Sequence, residues 1–571
     1  MSEVATEART APTTPGSRVL IIGLDAATFD LIEPWVQQGY LPHFARLMAE
    51  GAYGRLASTL QPTTAPAWVT FMTGMNQGKH GLYDFVRRRP DSYSLDVTNS
   101  SHIKAPLMFE TLSQLGQRII TVNIPYTYPP RPINGIMIGG PFAPAVTPEL
   151  IYPQEYFDTL KQIVPDYFII PDYDAHAADP MADFADRLYH EVELREHMAL
   201  HLIQTETWNV LAVVAMATDE VQHSFWMCQE AAEDSPFAKY RHVIRRIYQR
   251  CDEMLGKLLV AAQEAGQLTN VIVLSDHGAG PFRWMINLNQ WLAEQGLLAF
   301  RAERINPIKQ LRLAAVQRAA RAYRRHAPPR LRAAIRNRLG SDRFSRVQQE
   351  FQSTLVTTTI DWPQTQAFSL GAGGNLYINL KGREPSGAVE PEDYDRVRQR
   401  IIDALMQMRS PETGETIVRR AYRREELYHG AQLDNAPDIV IAWADHTFWG
   451  RGYYGSQVPV FERQEHFDFS AQPLSGAHRP EGILLAHGPA IQPGARVQGA
   501  QLYDLAPTIF HLLGFEPPAD MDGRVLTEML REVKTDLVQT PHEAARTFSP
   551  ADYTPEEAEL ISEHLRALGY L

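Results

Sequence analysis

The sequence predicts an α/β protein whose central sheet is mostly parallel, with helices on both faces and an inserted helical cap. Three observations predict it: short apolar runs recur along the chain, amphipathic helical stretches alternate with them, and one strongly basic segment interrupts the second half. Runs that are apolar throughout suit strands buried on both faces. Strands alternating with helices give parallel crossovers.

In chain order, residues 1–17 are polar and rich in Thr, Pro and Ala, and read as a disordered leader. The first strand is Arg18–Leu24. Further apolar runs follow at Arg118–Val122, Asn209–Met216, Asn270–Leu274, Asp438–Ala442 and Gly482–Ala486. Helices are expected between and after them, at Leu41–Glu50, Ala182–Gln204, Lys239–Glu264, Pro391–Met408 and Leu502–Leu513. Residues 18–300 form the first part of the core, 357–535 the second, and 536–571 a tail whose last stretch, Tyr553–Leu571, reads as an acidic amphipathic helix docked on the surface.

Between the two core parts, residues 301–340 carry twelve Arg or Lys against one acid, Glu303, a local net of +11. Leu331, Ile335 and Leu339 repeat at helical spacing, and Pro328-Pro329 breaks the pattern. The segment 301–356 therefore reads as a basic helical cap. A solvated basic face on an acidic body is favoured over contact with a substrate or a membrane surface.

The chain of 571 residues has a formal net charge of −13, which speaks against a stable nucleic-acid partner. Its 44% apolar and 21% charged residues are ordinary for globular proteins. Two cysteines, Cys228 and Cys251, are too few for a disulfide framework, and no apolar run reaches the length of a membrane span. The expected location is cytoplasmic.

Four passages place metal-type ligands beside strand ends, where open parallel sheets gather their functional groups. Asp25 follows the first strand. Asp219 and His223, four residues apart, follow Asn209–Met216. Asp276-His277-Gly278 follows Asn270–Ser275, and His478 lies in a loop just before Gly482–Ala486. Taken singly, each has an ordinary structural use: an N-cap, a local hydrogen bond or a turn. Together, three Asp and three His suffice for two sites of mixed imidazole and carboxylate ligands, a set suited to Zn²⁺ or Mn²⁺. A fifth passage, Thr64-Ala-Pro-Ala-Trp68, puts a hydroxyl at a helix start. Thr64 is either an N-cap or a nucleophile whose charge the helix N-terminus favours.

Gly-Leu-Asp25, Thr64-Ala-Pro with Thr73-Gly74 and Gly78-Lys-His-Gly81, Asp219-x-x-x-His223, Asp276-His277-Gly278 and Gly-x-His478 resemble, in this order, the alkaline phosphatase superfamily. Within it the chain is most similar to the type I phosphodiesterase/nucleotide pyrophosphatase branch. Asn123-Ile-Pro-Tyr-Thr-Tyr-Pro-Pro130, Tyr377-Ile-Asn-Leu-Lys-Gly-Arg383, Asp504-Leu-Ala-Pro-Thr-Ile-Phe-His-Leu-Leu-Gly514 and Asp520-Met-Asp-Gly523 resemble its bacterial members.

The resemblance implies an alkaline-phosphatase-like fold and two divalent cations, Zn²⁺ or alternatively Mn²⁺. One would be held by Asp219, His223 and His478, the other by Asp25, Asp276, His277 and the oxygen of Thr64. It implies hydrolysis of a small phosphate ester or phosphoanhydride through a covalent phosphothreonine at Thr64, with Thr63 the neighbouring candidate. Characterised members carry Asn three residues after the nucleophile, where this chain has Ala67; Asn123 is one candidate for the lost donor, and Trp68 for a pocket wall. Thr64-Ala-Pro-Ala-Trp68 also lacks the Cys or Ser and the Arg of a sulfatase motif. The rival readings are a phosphomonoesterase or phosphoglycerate mutase-like enzyme and, in a different class, a catalytically silent protein that binds polyanions or a membrane surface.

Overall fold

The computed structural model describes residues 17–89, 92–264, 268–301, 359–452, 458–464, 472–540 and 552–567. The expected leader through residue 16 and the basic cap from residue 302 onward lie outside the described residues.

A nine-stranded sheet organises the larger lobe. Its strands are β1 (Arg18–Leu24), β2 (Ala52–Ala57), β3 (Ile119–Ile124), β4 (Gly135–Gly139), β5 (Ile151–Tyr152), β6 (Val210–Ala215), β7 (Thr269–Leu274), β8 (Glu481–His487) and β9 (Ala500–Gln501), in the order β9-β2-β8-β7-β1-β6-β3-β4-β5. The run β7-β1-β6-β3-β4 is parallel throughout. β1 is buried along its whole length, and period-2 geometry divides it between two cores. Leu20, Ile22 and Leu24 join a cluster with the helices α2 (Pro180–Thr205), α3 (Ala217–Gln229) and α4 (Val243–Glu264). Val19 and Ile21 face the other way, against α1 (Thr64–Thr73) and the helix Leu505–Leu513. The result is the mostly parallel, doubly covered sheet that the alternation predicts.

Two strands differ from expectation. The Gly482–Ala486 run lies in the central sheet as β8, but antiparallel to both β7 and β2. The Asp438–Ala442 run forms a strand at Ile439–Trp443 outside that sheet altogether, antiparallel to Asn375–Ile378 and Val418–Arg423 in a separate four-stranded sheet. Burial on both faces makes a strand apolar whatever its direction.

This second sheet, with the helix Tyr394–Leu405, builds a smaller lobe around Ile378, Ile401, Ile439 and Ile441. It reaches the loop before Thr64 directly: Gln61 Nε2 donates to the Ile441 carbonyl at 2.7 Å. The Tyr377–Arg383 passage anchors this lobe. The Arg383 guanidinium donates to both oxygens of buried Asp438, at 2.8 and 2.6 Å, and Tyr394 and the Ile378 N–H also donate to that carboxylate. Burial alone would raise the Asp438 pKa; the Arg383 hydrogen bonds and charge outweigh it and hold the carboxyl below its ordinary value. Its contribution is therefore complete above the ordinary carboxylate pKa and is lost as pH falls through the lower folded value. Arg383→Met leaves that charge buried with only the more distant Arg424, 3.8 Å away, an expected loss of about 3–5 kcal/mol, read by denaturant unfolding.

The tail helix Pro555–Ala567 buries Ile561 and Leu565 in the core beside α1, and Tyr553 donates to the Phe142 carbonyl. Among the described residues, no helix is long and apolar enough to cross a membrane.

Candidate active site

The strand register places the ligands side by side. Gly23 in β1 pairs with Val214 in β6 and Leu274 in β7, so these three strands end together. Asp25 leaves β1, Asp219 sits in the first turn of α3 just past β6, and Asp276 and His277 leave β7. His478 arrives from a different part of the chain. It lies in the strand Gly476–Arg479, antiparallel to Gly278–Pro281, with Ala279 opposite His478. That pairing stacks the His277 and His478 rings, centroids 3.7 Å apart. Gly476 permits the approach, because a Cβ there would lie 2.3 Å from the Gln222 carbonyl oxygen.

All seven residues implied by the resemblance converge, and all are buried. Asp219 Oδ1 lies 3.2 Å from His223 Nε2 and 3.4 Å from His478 Nε2, and the two ring nitrogens are 2.9 Å apart. His277 Nε2 lies 3.3 Å from Asp276 Oδ2, 3.7 Å from Asp25 Oδ1 and 3.4 Å from Thr64 Oγ1. Ligand atoms of Asp25, Asp276 and His277 all fall within 4.8 Å of one another, as do those of Asp219, His277 and His478. His277 therefore stands in both groups, a junction that sequence order does not reveal.

The donor chemistry fits cations. Each ring turns Nδ1 to a carbonyl oxygen: His223 to Gly476 at 2.9 Å, His277 to Gly278 at 3.0 Å and His478 to Pro62 at 2.6 Å. A carbonyl only accepts, so Nδ1 carries a proton and Nε2 faces the cluster, the arrangement of a histidine ligand held by its outer hydrogen bond. Asp25 Oδ1, Asp219 Oδ1 and Asp276 Oδ2 are buried without a well-aligned hydrogen bond. Three such oxygens in one cluster are costly unless something positive meets them.

Titration reflects the same crowding. Burial, then the charges of Asp276 and Asp219, push Asp25 well above the carboxylate range; burial and Asp219 raise Asp276 to about 8. Asp219 falls, because His223 and His478 outweigh its burial, while burial drives His277 well below the usual imidazole value.

Thr64 is the first residue of α1, and its N-cap is Thr63, whose side chain makes no capping bond. The expected alignment, with Thr64 as cap, shifts by one residue. The Ala67 N–H donates to the Thr63 carbonyl at 3.1 Å, so the helix starts at Thr64, and Pro66 at the third helical position offers the Thr63 side chain no N–H to bond. The Thr64 hydroxyl is thus left to face His277. Pro62, held by His478, fixes the strand of chain that delivers it.

Two side chains considered for the substrate pocket make internal hydrogen bonds. Asn123, buried at the end of β3 with φ +61°, donates Nδ2 to the Val214 carbonyl and ties the strand ends together. Trp68 is fully buried and walls no pocket; its indole N–H donates to Asp25 Oδ2 at 2.8 Å. The passage Asp520–Gly523 is likewise a clamp, since Asp522 accepts from the Asn76 N–H and side chain and from Lys79, fastening the turn after α1.

Three solved structures are distantly similar to the chain. The human ectonucleotide pyrophosphatase/phosphodiesterase 5 structure is 13% identical, covering 90% of this chain and 100% of that chain at a TM-score of 0.44. An inactive form of the murine protein in complex with AMP is 14% identical, covering 87% and 95% at 0.43. Phosphonoacetate hydrolase from Sinorhizobium meliloti in complex with phosphonoformate is 12% identical, covering 86% and 94% at 0.46. No curated protein sequence matches the chain. The model of the type I phosphodiesterase/nucleotide pyrophosphatase family matches residues 19–468, from the first strand to beyond the smaller lobe. The chain belongs to that family, and it is a phosphoric ester hydrolase.

Proposed function

We propose that the protein hydrolyses phosphate diesters or phosphoanhydrides at a centre for two divalent cations, with Thr64 as nucleophile. The observation that carries this reading is the buried cluster itself: three histidine Nε2 atoms and three carboxylate oxygens without aligned hydrogen bonds, gathered beside the Thr64 hydroxyl. Asp219, His223 and His478 would hold one cation, and Asp25, Asp276, His277 and Thr64 the other, with Zn²⁺ the expected metal and Mn²⁺ the alternative. Bound there, the cations supply Lewis acidity, lowering the pKa of the nucleophile and neutralising phosphoryl charge.

Thr64 Oγ1 gives up its proton and attacks phosphorus, the new O–P bond forming as the ester oxygen opposite it leaves and takes a proton. The N–H groups at the start of α1, on Thr64 and Ala65, would favour the negative charge of the phosphoryl oxygens. Water then attacks phosphothreonine, releasing the product and restoring the hydroxyl. His277, though 3.4 Å from Thr64, is better read as a ligand than as the base, because the same Nε2 faces Asp276 and Asp25.

Substrate class follows from donors. Ala67 is buried and offers no side-chain hydrogen bond where characterised members have Asn, and Asn123 donates to the Val214 carbonyl. A monoester dianion has a third free oxygen to satisfy, whereas a diester has two. Bis(p-nitrophenyl) phosphate is therefore expected to show a higher kcat/KM than p-nitrophenyl phosphate at equal metal loading. A monoester value well above the diester value would favour a phosphomonoesterase instead.

A further inference from the structure

Resting on the metal-centre reading above, we propose that Trp68 is a positioning residue for Asp25, and that its indole N–H sets the affinity of the cation held by Asp25, Asp276 and His277. Three observations converge on it. The Trp68 Nε1 donates to Asp25 Oδ2 at 2.8 Å, with both side chains fully buried. The other oxygen, Asp25 Oδ1, has no aligned hydrogen bond and lies 3.7 Å from His277 Nε2. The fold also makes room for the indole: a Cβ at Gly23, two residues before Asp25, would sit 2.6 Å from the far edge of the Trp68 ring and 2.8 Å from Val214. Phe71, one turn along α1, packs edge-on against the ring, with centroids 5.6 Å apart.

The indole thus divides the carboxylate. One oxygen is tied to a donor that has no acceptor function, and the other is turned toward the cluster. A donor fixed on Oδ2 keeps Asp25 from rotating or offering both oxygens, so a cation meets one defined oxygen. Hydrogen bonds of this kind to ligating side chains are worth about 10–100-fold in metal affinity. Trp68 also links the two halves of the site, since it lies four residues beyond Thr64 in α1. The segment that delivers the nucleophile therefore also orients a ligand on β1.

The test uses the full chain, stripped with a chelator and titrated with Zn²⁺ by calorimetry and with Co²⁺ by its visible absorption. Trp68→Phe removes the N–H. Replacing Trp68 by 3-benzothienylalanine exchanges the N–H for sulfur at nearly constant shape, and it decides the matter if Trp68→Phe does not fold. Two binding events are expected in the parent. In the variants one of them is expected to weaken about 10–100-fold, with an altered Co²⁺ spectrum, while the other is retained. If the parent binds two cations and both folded variants bind them with parental affinity and spectrum, the role assigned to Trp68 is wrong. If the parent itself takes up no cation, the metal-centre reading fails first and the role of Trp68 falls with it.

Discussion

Thr64→Ala is expected to lower kcat by about 10³-fold or more while the protein keeps its metal content and its melting temperature, because it would remove the proposed nucleophile while Asp25, Asp276 and His277 remain to hold the cation beside it. Thr64 sits at the first helical position, where Ala is a good helix former, and Thr63 rather than Thr64 occupies the cap. A capping role for Thr64 would instead show as a stability loss of about 0.5–2 kcal/mol with turnover intact. Thr63→Ala is the matched control. Its side chain makes no capping bond, so both turnover and stability should stay near parental values. One steady-state assay and one thermal melt on each variant separate these outcomes.

His277→Ala is expected to have the second large effect, and to reach further than loss of an outlying ligand. His277 stands in both candidate ligand groups, stacks on His478 and approaches Thr64. Its loss should lower the bound metal of both sites together with activity, as measured by elemental analysis after dialysis beside turnover. His478→Ala leaves Asp25, Asp276 and His277 in place and should spare the cation they hold. Retention of two cations by His277→Ala would contradict its place at the junction.

The candidate ligands are legible in the sequence because chemistry and topology coincide in them. Asp25, Asp219 and Asp276-His277 follow apolar runs directly, and parallel strands end in a row. His478 was legible as a residue of a recognisable passage, but the antiparallel strand pair that carries it to His277 is a long-range pairing with no local signal. The direction of β8 was hidden for a related reason: a strand buried on both faces has no polar side from which its orientation can be inferred. Ile439–Trp443 reads like a strand of the central sheet, yet Arg383 and Asp438 fasten it into the smaller lobe.

Other residues concealed their roles because their partners are distant. Nothing in Thr64-Ala-Pro-Ala-Trp68 announces that the indole meets Asp25, 43 positions away. Gly23 is the faint signal, a glycine inside a strand where another backbone or ring must come close. The passages around Asn123, Arg383 and Asp522 stand out in sequence as strongly as the ligands do, but the structure uses them as clamps on strand ends, lobe and turn.

The central claim is transfer through Thr64 in two displacements, and the stereochemical course at phosphorus tests it most directly. A diester made chiral at phosphorus by sulfur and oxygen-isotope substitution reports the number of in-line steps, whether or not an intermediate accumulates. Attack by Thr64 followed by attack of water inverts the centre twice, so the account predicts net retention of configuration. Net inversion would mean that water attacks the substrate directly, and would contradict a covalent phosphothreonine.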